Sequence, residues 1–225
     1  MSLDGGYLFL LGLACGIACL ALTSYFRLTP RWVRWMLIAS GVFVVVRYAA
    51  LAHMAIGAAW PAQLLTRLWF GSAVGLTLPS AFAVDALIRH PAMTPKKLLI
   101  RFSPLLVLYA ALAAFAQAHV IMGRPLGWAF APTPVWQALA VALQGFFLAG
   151  FVGVCVLLIQ RLPVPAIRAA LLNLVVSHGY LGGLSLVMAA KGWWLSADLL
   201  LPEMLTLLAI WHAFQTADRL QAAGS

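Results

Sequence analysis

The chain has 225 residues, of which 64% are hydrophobic and 8% charged, and 14 Lys and Arg against 5 Asp and Glu give a net charge of +9. With a mean hydropathy of +1.01, it is excluded from the ordinary soluble class, in which about a quarter of residues are charged. No polar stretch is long enough to bury a core of its own, so the expected fold is all-α: residues 1–225 as a single, polytopic transmembrane bundle.

A crossing needs roughly 20 apolar residues of helix, and seven such runs lie near 6–26, 34–58, 67–88, 98–118, 134–159, 168–189 and 197–217. The first is preceded by Asp4 rather than a basic segment, and its uncharged run is longer than a signal-peptide core. It is therefore expected to stay in the protein. Proline, glycine and charge punctuate the runs: "RLTPR" (27–31), "AWPAQ" (59–63), "RHPAMTPKK" (89–97), "GRPLGWAFAPTP" (123–134), "QRLPVPAIR" (160–168) and "KGWWLS" (191–196). Cys15, Cys19 and Cys155 fall inside apolar runs, which suits small packing residues better than a disulfide or zinc framework.

Ten basic residues collect on one side: Arg27, Arg31, Arg34, Arg89, Lys96, Lys97, Arg101, Arg161, Arg168 and Arg219. The opposite side carries Arg67, Arg124 and Lys191. The positive-inside rule then places the N-terminus outside and the C-terminus in the cytoplasm, across a bacterial-type inner membrane. The net charge reflects this bias and lipid headgroups, not nucleic acid. Trp60, Trp128, Trp193 and Trp194 are expected at the outer edge, and Trp32 and Trp35 at the inner one.

One charge interrupts "VFVVVRYAALAH" (42–53). At 1.5 Å per residue, Arg47 lies roughly 20 Å up the second run, and Glu203 roughly 21 Å from the inner end of the seventh. A charge at that depth costs at least ~2.5–3.5 kcal/mol and faces a partner inside the bundle. Arg47 is therefore expected to pair with Glu203. Asp85, close to the inner end of its run, can reach the interface or Arg89 one turn on. His53, Thr77, Gln144, Ser177, His178 and Tyr180 project to the same slab and are candidates to line a polar pocket, or to serve as interhelical hydrogen-bonding groups. Arg47 and His53 point about 120° apart around their helix. Pro79 and Pro202 are expected to kink or hinge their helices. "GSAVG" (71–75) and "GYLGG" (179–183) are small-residue contact faces.

Catalytic and cofactor chemistry is not indicated. His53, His178 and His212 are staggered in depth, which disfavours bis-histidine haem, and no metal spacing, phosphate loop or nucleophile elbow occurs. Ser177 and His178, adjacent in sequence, point about 100° apart on a helix and form no dyad by themselves. "TLPSAFAVD" (77–85) faintly resembles the third helix of rhodopsins, but the seventh run has no lysine for a Schiff base.

The seven-run topology, a proline in the third run, the basic proline-containing loop "RHPAMTPKK" and the ending "FQTADRLQAAGS" resemble the N-terminal seven-helix sensor regions of bacterial histidine kinases. That resemblance implies a receptor-like or sensory module that binds a small apolar or amphiphilic ligand and signals to a partner protein. Two alternatives stand beside it. One is a small transporter or channel that uses the Arg47/Glu203 slab. The other is an accessory or assembly subunit of a larger membrane complex. No cofactor is expected, and the lipid bilayer is the surrounding partner.

Overall fold

The computed structural model describes residues 5–56, 61–91, 93–124, 127–190 and 197–224. Among them are seven α-helices and one hairpin, in the order α1 (Gly5–Tyr25), α2 (Arg31–Ala55), α3 (Ala62–Ile88), α4 (Pro95–Phe115), β1 (Ala118–Arg124), β2 (Gly127–Pro132), α5 (Pro134–Arg161), α6 (Pro165–Ala190) and α7 (Leu200–Gly224). A 3-10 turn over Ala197–Leu199 leads into α7. Among the described residues six helices are long and apolar enough to cross a membrane: Gly5–Tyr25, Arg31–Ala55, Leu64–Ile88, Pro95–Phe115, Pro134–Arg161 and Pro165–Ala189. Large apolar side chains such as Phe9, Phe146 and Val107 are exposed on the outside of the bundle, a surface suited to lipid. The chain is a helical, multi-pass membrane protein.

Proline sets where the helices begin. Pro30 and Pro61 cap α2 and α3, and Pro95, Pro134 and Pro165 open α4, α5 and α6. At these positions the missing N–H costs nothing and the fixed φ already suits a helix. Thr94 reinforces the start of α4 by accepting from the Lys97 amide at 3.3 Å.

Two boundaries differ from expectation in ways that matter. α3 starts at Ala62 rather than near 67, so Arg67 sits within the helix, about 7 Å below its first residue. α7 starts at Leu200 and runs to Gly224 rather than spanning 197–217. Pro202 consequently occupies the first turn of α7, where no backbone bond is lost.

The segment after α4 was expected to be loop and forms a two-stranded antiparallel hairpin. Ala118 pairs with Pro132, Ile121 with Ala129, and the register slips between Ile121 and Arg124. Ala116 turns the chain to extended geometry (ψ 132°), ending the helix before the expected 118. "HVI" and "WAF" on either side of "GRPLG" are β-favouring residues around turn formers.

α3 is the centre of the bundle: it packs against α2, α4, α7 and α6, while α7 also packs against α1 and α6. Its contact with α2 depends on missing side chains. A Cβ on Gly75 would meet the Ser40 carbonyl oxygen and Val44, and one on Gly71 would come within 2.8 Å of the Phe43 ring. "GSAVG" is thus the contact face with α2. In "GYLGG" only Gly182 is close to a neighbour, the Leu148 side chain, whereas Gly179 and Gly183 face open space. Trp35 is exposed and Trp32 half-buried. Trp60, Lys191, Trp193 and Trp194, and the side chain of Trp128, lie outside what is described.

Candidate functional site

Arg47 lies about 24 Å along α2 from Arg31 and about 12 Å short of Ala55, and Glu203 lies in the first turn of α7. On α2 this places the pair about 6 Å from the helix midpoint, toward the hairpin end. Arg47 Nη2 and Glu203 Oε2 form a direct ion pair, with both residues buried. Arg47 Nη1 donates to Ser72 Oγ on α3 at 2.8 Å, and Tyr48 donates its hydroxyl to Glu203 Oε2 at 2.9 Å. The Arg47 guanidinium lies 4.8 Å from the centroid of the Tyr48 ring. Ser72 passes its own proton to the Trp69 carbonyl at 2.7 Å, so it is free to accept from the arginine. Position also favours the carboxylate, since a helix N-terminus carries positive partial charge. Arg47 Nε has no hydrogen-bond partner among the described residues.

This network forms one wall of a cavity between α2, α3, α4, α5, α6 and α7. Arg47, Glu203, Thr77, Gln144 and His178 all line it, along with Tyr109 and Ser185. Its volume is about 40 Å³, room for roughly two or three water molecules. Thr77 donates to the Ala73 carbonyl at 2.9 Å, and Gln144 Nε2 donates to Ser185 Oγ at 3.4 Å, which ties α5 to α6. His178 lies with Nδ1 3.0 Å from the Leu174 carbonyl and Nε2 3.0 Å from Ser80 Oγ, against the Phe151 ring at 4.6 Å.

The remaining expected site residues lie elsewhere. Ser177 is buried but donates to the same Leu174 carbonyl at 3.1 Å and does not line the cavity. His53 is exposed at the hairpin end of α2, and Tyr180 is 44% exposed on the outside of α6. Depth alone grouped them with the site, whereas the angle around the helix turns them away from it. Asp85 is half-buried and makes no ion pair with Arg89. Arg89 adopts a left-handed cap (φ 47°), and its amide donates to the Asp85 carbonyl at 2.9 Å. The end of α7 is held there by a different pair, Arg27 with Asp218 at 4.0 Å.

Pro79 stands inside α3, which continues through it to Ile88. Its missing amide frees the Gly75 carbonyl. Ser80, next along, is fully buried and has two acceptors within reach, the Leu76 carbonyl at 2.7 Å and His178. This Ser80–His178 link is the serine–histidine contact of the bundle core. Ser80 does not line the cavity, so the link joins α3 to α6 rather than presenting a nucleophile. A second internal proline, Pro104 of α4, was not singled out from the sequence. The Ile100 carbonyl that it frees accepts the Ser103 hydroxyl at 2.7 Å.

Sequence reasoning also missed Tyr48 and Ser72. Tyr48 adjoins Arg47 in sequence, the one available signal, whereas Ser72 can be found only from the helix packing. Among the described residues no cluster of His, Cys, Asp or Glu is placed to hold a metal ion. No protein-family model matches the chain, and no curated protein does.

Proposed function

We propose that this chain is a receptor-like sensory module of a bacterial inner membrane, in which a small amphiphile inserts its polar head beside Arg47 and Glu203 and changes how α7 packs on α2 and α3. The observation that carries this reading is the cavity itself. It joins an ion pair between α2 and α7 to polar groups of α3, α5 and α6. An uncommitted guanidinium N–H is a donor available to an incoming oxygen.

α7 supplies the route outward. It runs unbroken from Glu203 to an exposed last turn over 221–223, about 30 Å away. In this reading α7 is a seventh crossing, the N-terminus is outside, and the exposed turn meets a partner protein in the cytoplasm. The excess of Lys and Arg at that end supports the orientation. The resting cavity holds water-sized guests, so the ligand enters by displacing α7 and thereby biases two packings of the bundle.

A panel of small apolar and amphiphilic compounds tested on the purified protein supplies the experiment. A binder is expected to raise the Tm of the wild type, to lose that effect in Gln144→Leu and Thr77→Val, and to produce no solute flux in proteoliposomes. The small size of the cavity favours one other reading, a path for protons or small ions. Flux that vanishes in Glu203→Gln, with no ligand-dependent stabilisation, decides for it and against the sensor.

A further inference from the structure

A second cavity lies on the outside of α3, roofed by neither α2 nor α4. It encloses about 650 Å³, and its floor is Phe70, Gly71, Val74 and Leu78 of α3. Phe43 of α2 forms one wall, and Ala110, Ala113 and Ala114 of α4 form the other. Three features define its occupant. The lining is almost wholly apolar and opens sideways, where lipid lies in a membrane-spanning bundle. The alanines of α4 keep one wall low, and Gly71 lets the Phe43 ring lie close against α3 as the other.

Its polar end is a single cation. Arg67 is exposed at the hairpin end of the groove and makes no ion pair with any described residue. From Arg67 to Leu78 the groove follows α3 for about 16 Å, close to half of the ~30 Å hydrocarbon thickness. It therefore has the length of one leaflet's acyl chain, with a positive charge where that chain meets its headgroup.

We propose that this groove binds an anionic phospholipid of the surrounding bilayer, one acyl chain lying on Gly71 and Val74 and the phosphate on Arg67. The guanidinium supplies a planar fork for the phosphate oxygens, a pairing that a zwitterionic lipid weakens with its own cation. Tyr109 lines both this groove and the polar cavity, so it forms the partition between them.

Native mass spectrometry of the full chain with phosphatidylglycerol or phosphatidylcholine of identical chains tests the assignment, with Tm as a second readout. The wild type is expected to retain the anionic lipid over the zwitterionic one by about fivefold, the effect of one surface cation. Arg67→Gln should remove that preference. Ala110→Phe, which fills the groove from an exposed position, should remove retention of both lipids, and Arg101→Gln, at the other end of the bundle, should change neither. A preference that survives in Arg67→Gln overturns the proposal, as does unchanged retention in Ala110→Phe. So does a groove occupied by a second copy, seen as efficient disulfide dimers of Ala114→Cys with no lipid dependence.

Discussion

Replacing Glu203 with alanine removes the carboxylate paired with Arg47 and leaves a guanidinium, 4% exposed, with Ser72 as its remaining hydrogen-bond partner among the described residues. Tyr48 loses its acceptor in the same step. Breaking a buried ion pair from one side costs about 3–5 kcal/mol. Arg47→Ala should cost a similar amount, because among the described residues Glu203 then keeps only the Tyr48 hydroxyl. The double variant leaves neither charge behind and is expected to lose much less than the sum, with a coupling energy of about 2–3 kcal/mol. Lesser changes should rank below these. Tyr48→Phe and Ser72→Ala each remove one hydrogen bond to a charged group, worth about 1.5–3 kcal/mol. Unfolding of the detergent-solubilised protein, followed by circular dichroism in a denaturant series, measures all five variants. Single-variant losses that add in the double variant to within about 0.5 kcal/mol would refute the pairing as the energetic centre of the site.

Gly75→Ala should destabilise by about 1–3 kcal/mol, because the added Cβ meets a backbone carbonyl that cannot yield; Gly183→Ala, with open space around it, should be neutral or stabilising by about 0.5–1 kcal/mol on the same denaturation assay. Ser80→Ala should cost about 1–3 kcal/mol by leaving His178 without its α3 partner, whereas Ser177→Ala, whose hydroxyl only supplements a carbonyl already used by His178, should cost under about 1 kcal/mol. Arg27→Ala should change stability by less than about 1 kcal/mol, and any effect should shrink in high salt, since the arginine of that 4.0 Å pair is 71% exposed. Tyr180→Phe should alter neither stability nor the response to a stabilising compound, because the ring faces outward.

Energetic cost decides which features were readable from the residues alone. The apolar runs were plain because each must match the thickness of the hydrocarbon, and proline marked most helix starts. Arg47 and Glu203 were readable for the same reason: an unpaired charge there is expensive enough that only a partner explains it. Ser72 and Ser80 carry no such penalty, and serines occur throughout the chain, so their roles appear only once α3 is set against α2 and α6. His53 and Tyr180 show the opposite error. Their depth was sufficient to nominate them, but a side chain's angle around its helix decides whether it faces the cavity or the outside. The hairpin between α4 and α5 is hard to read because its strands are short and the turn formers Gly123 and Gly127 at their joined ends suit a loop equally well. The start of α7 differs by only a few residues, yet that difference puts Pro202 in the first turn of the helix, where it costs no backbone bond.

If the Arg47–Glu203 contact holds α7 in place, as proposed, its release moves the exposed end of that helix. Spin labels at Trp35→Cys on α2 and Gln221→Cys on α7, in a background with the three native cysteines replaced, report this distance directly by electron–electron resonance. Glu203→Gln is expected to shift or split the distance distribution while the protein remains folded. An unchanged distribution in a folded Glu203→Gln protein would contradict it and leave the ion pair as a static tie between helices.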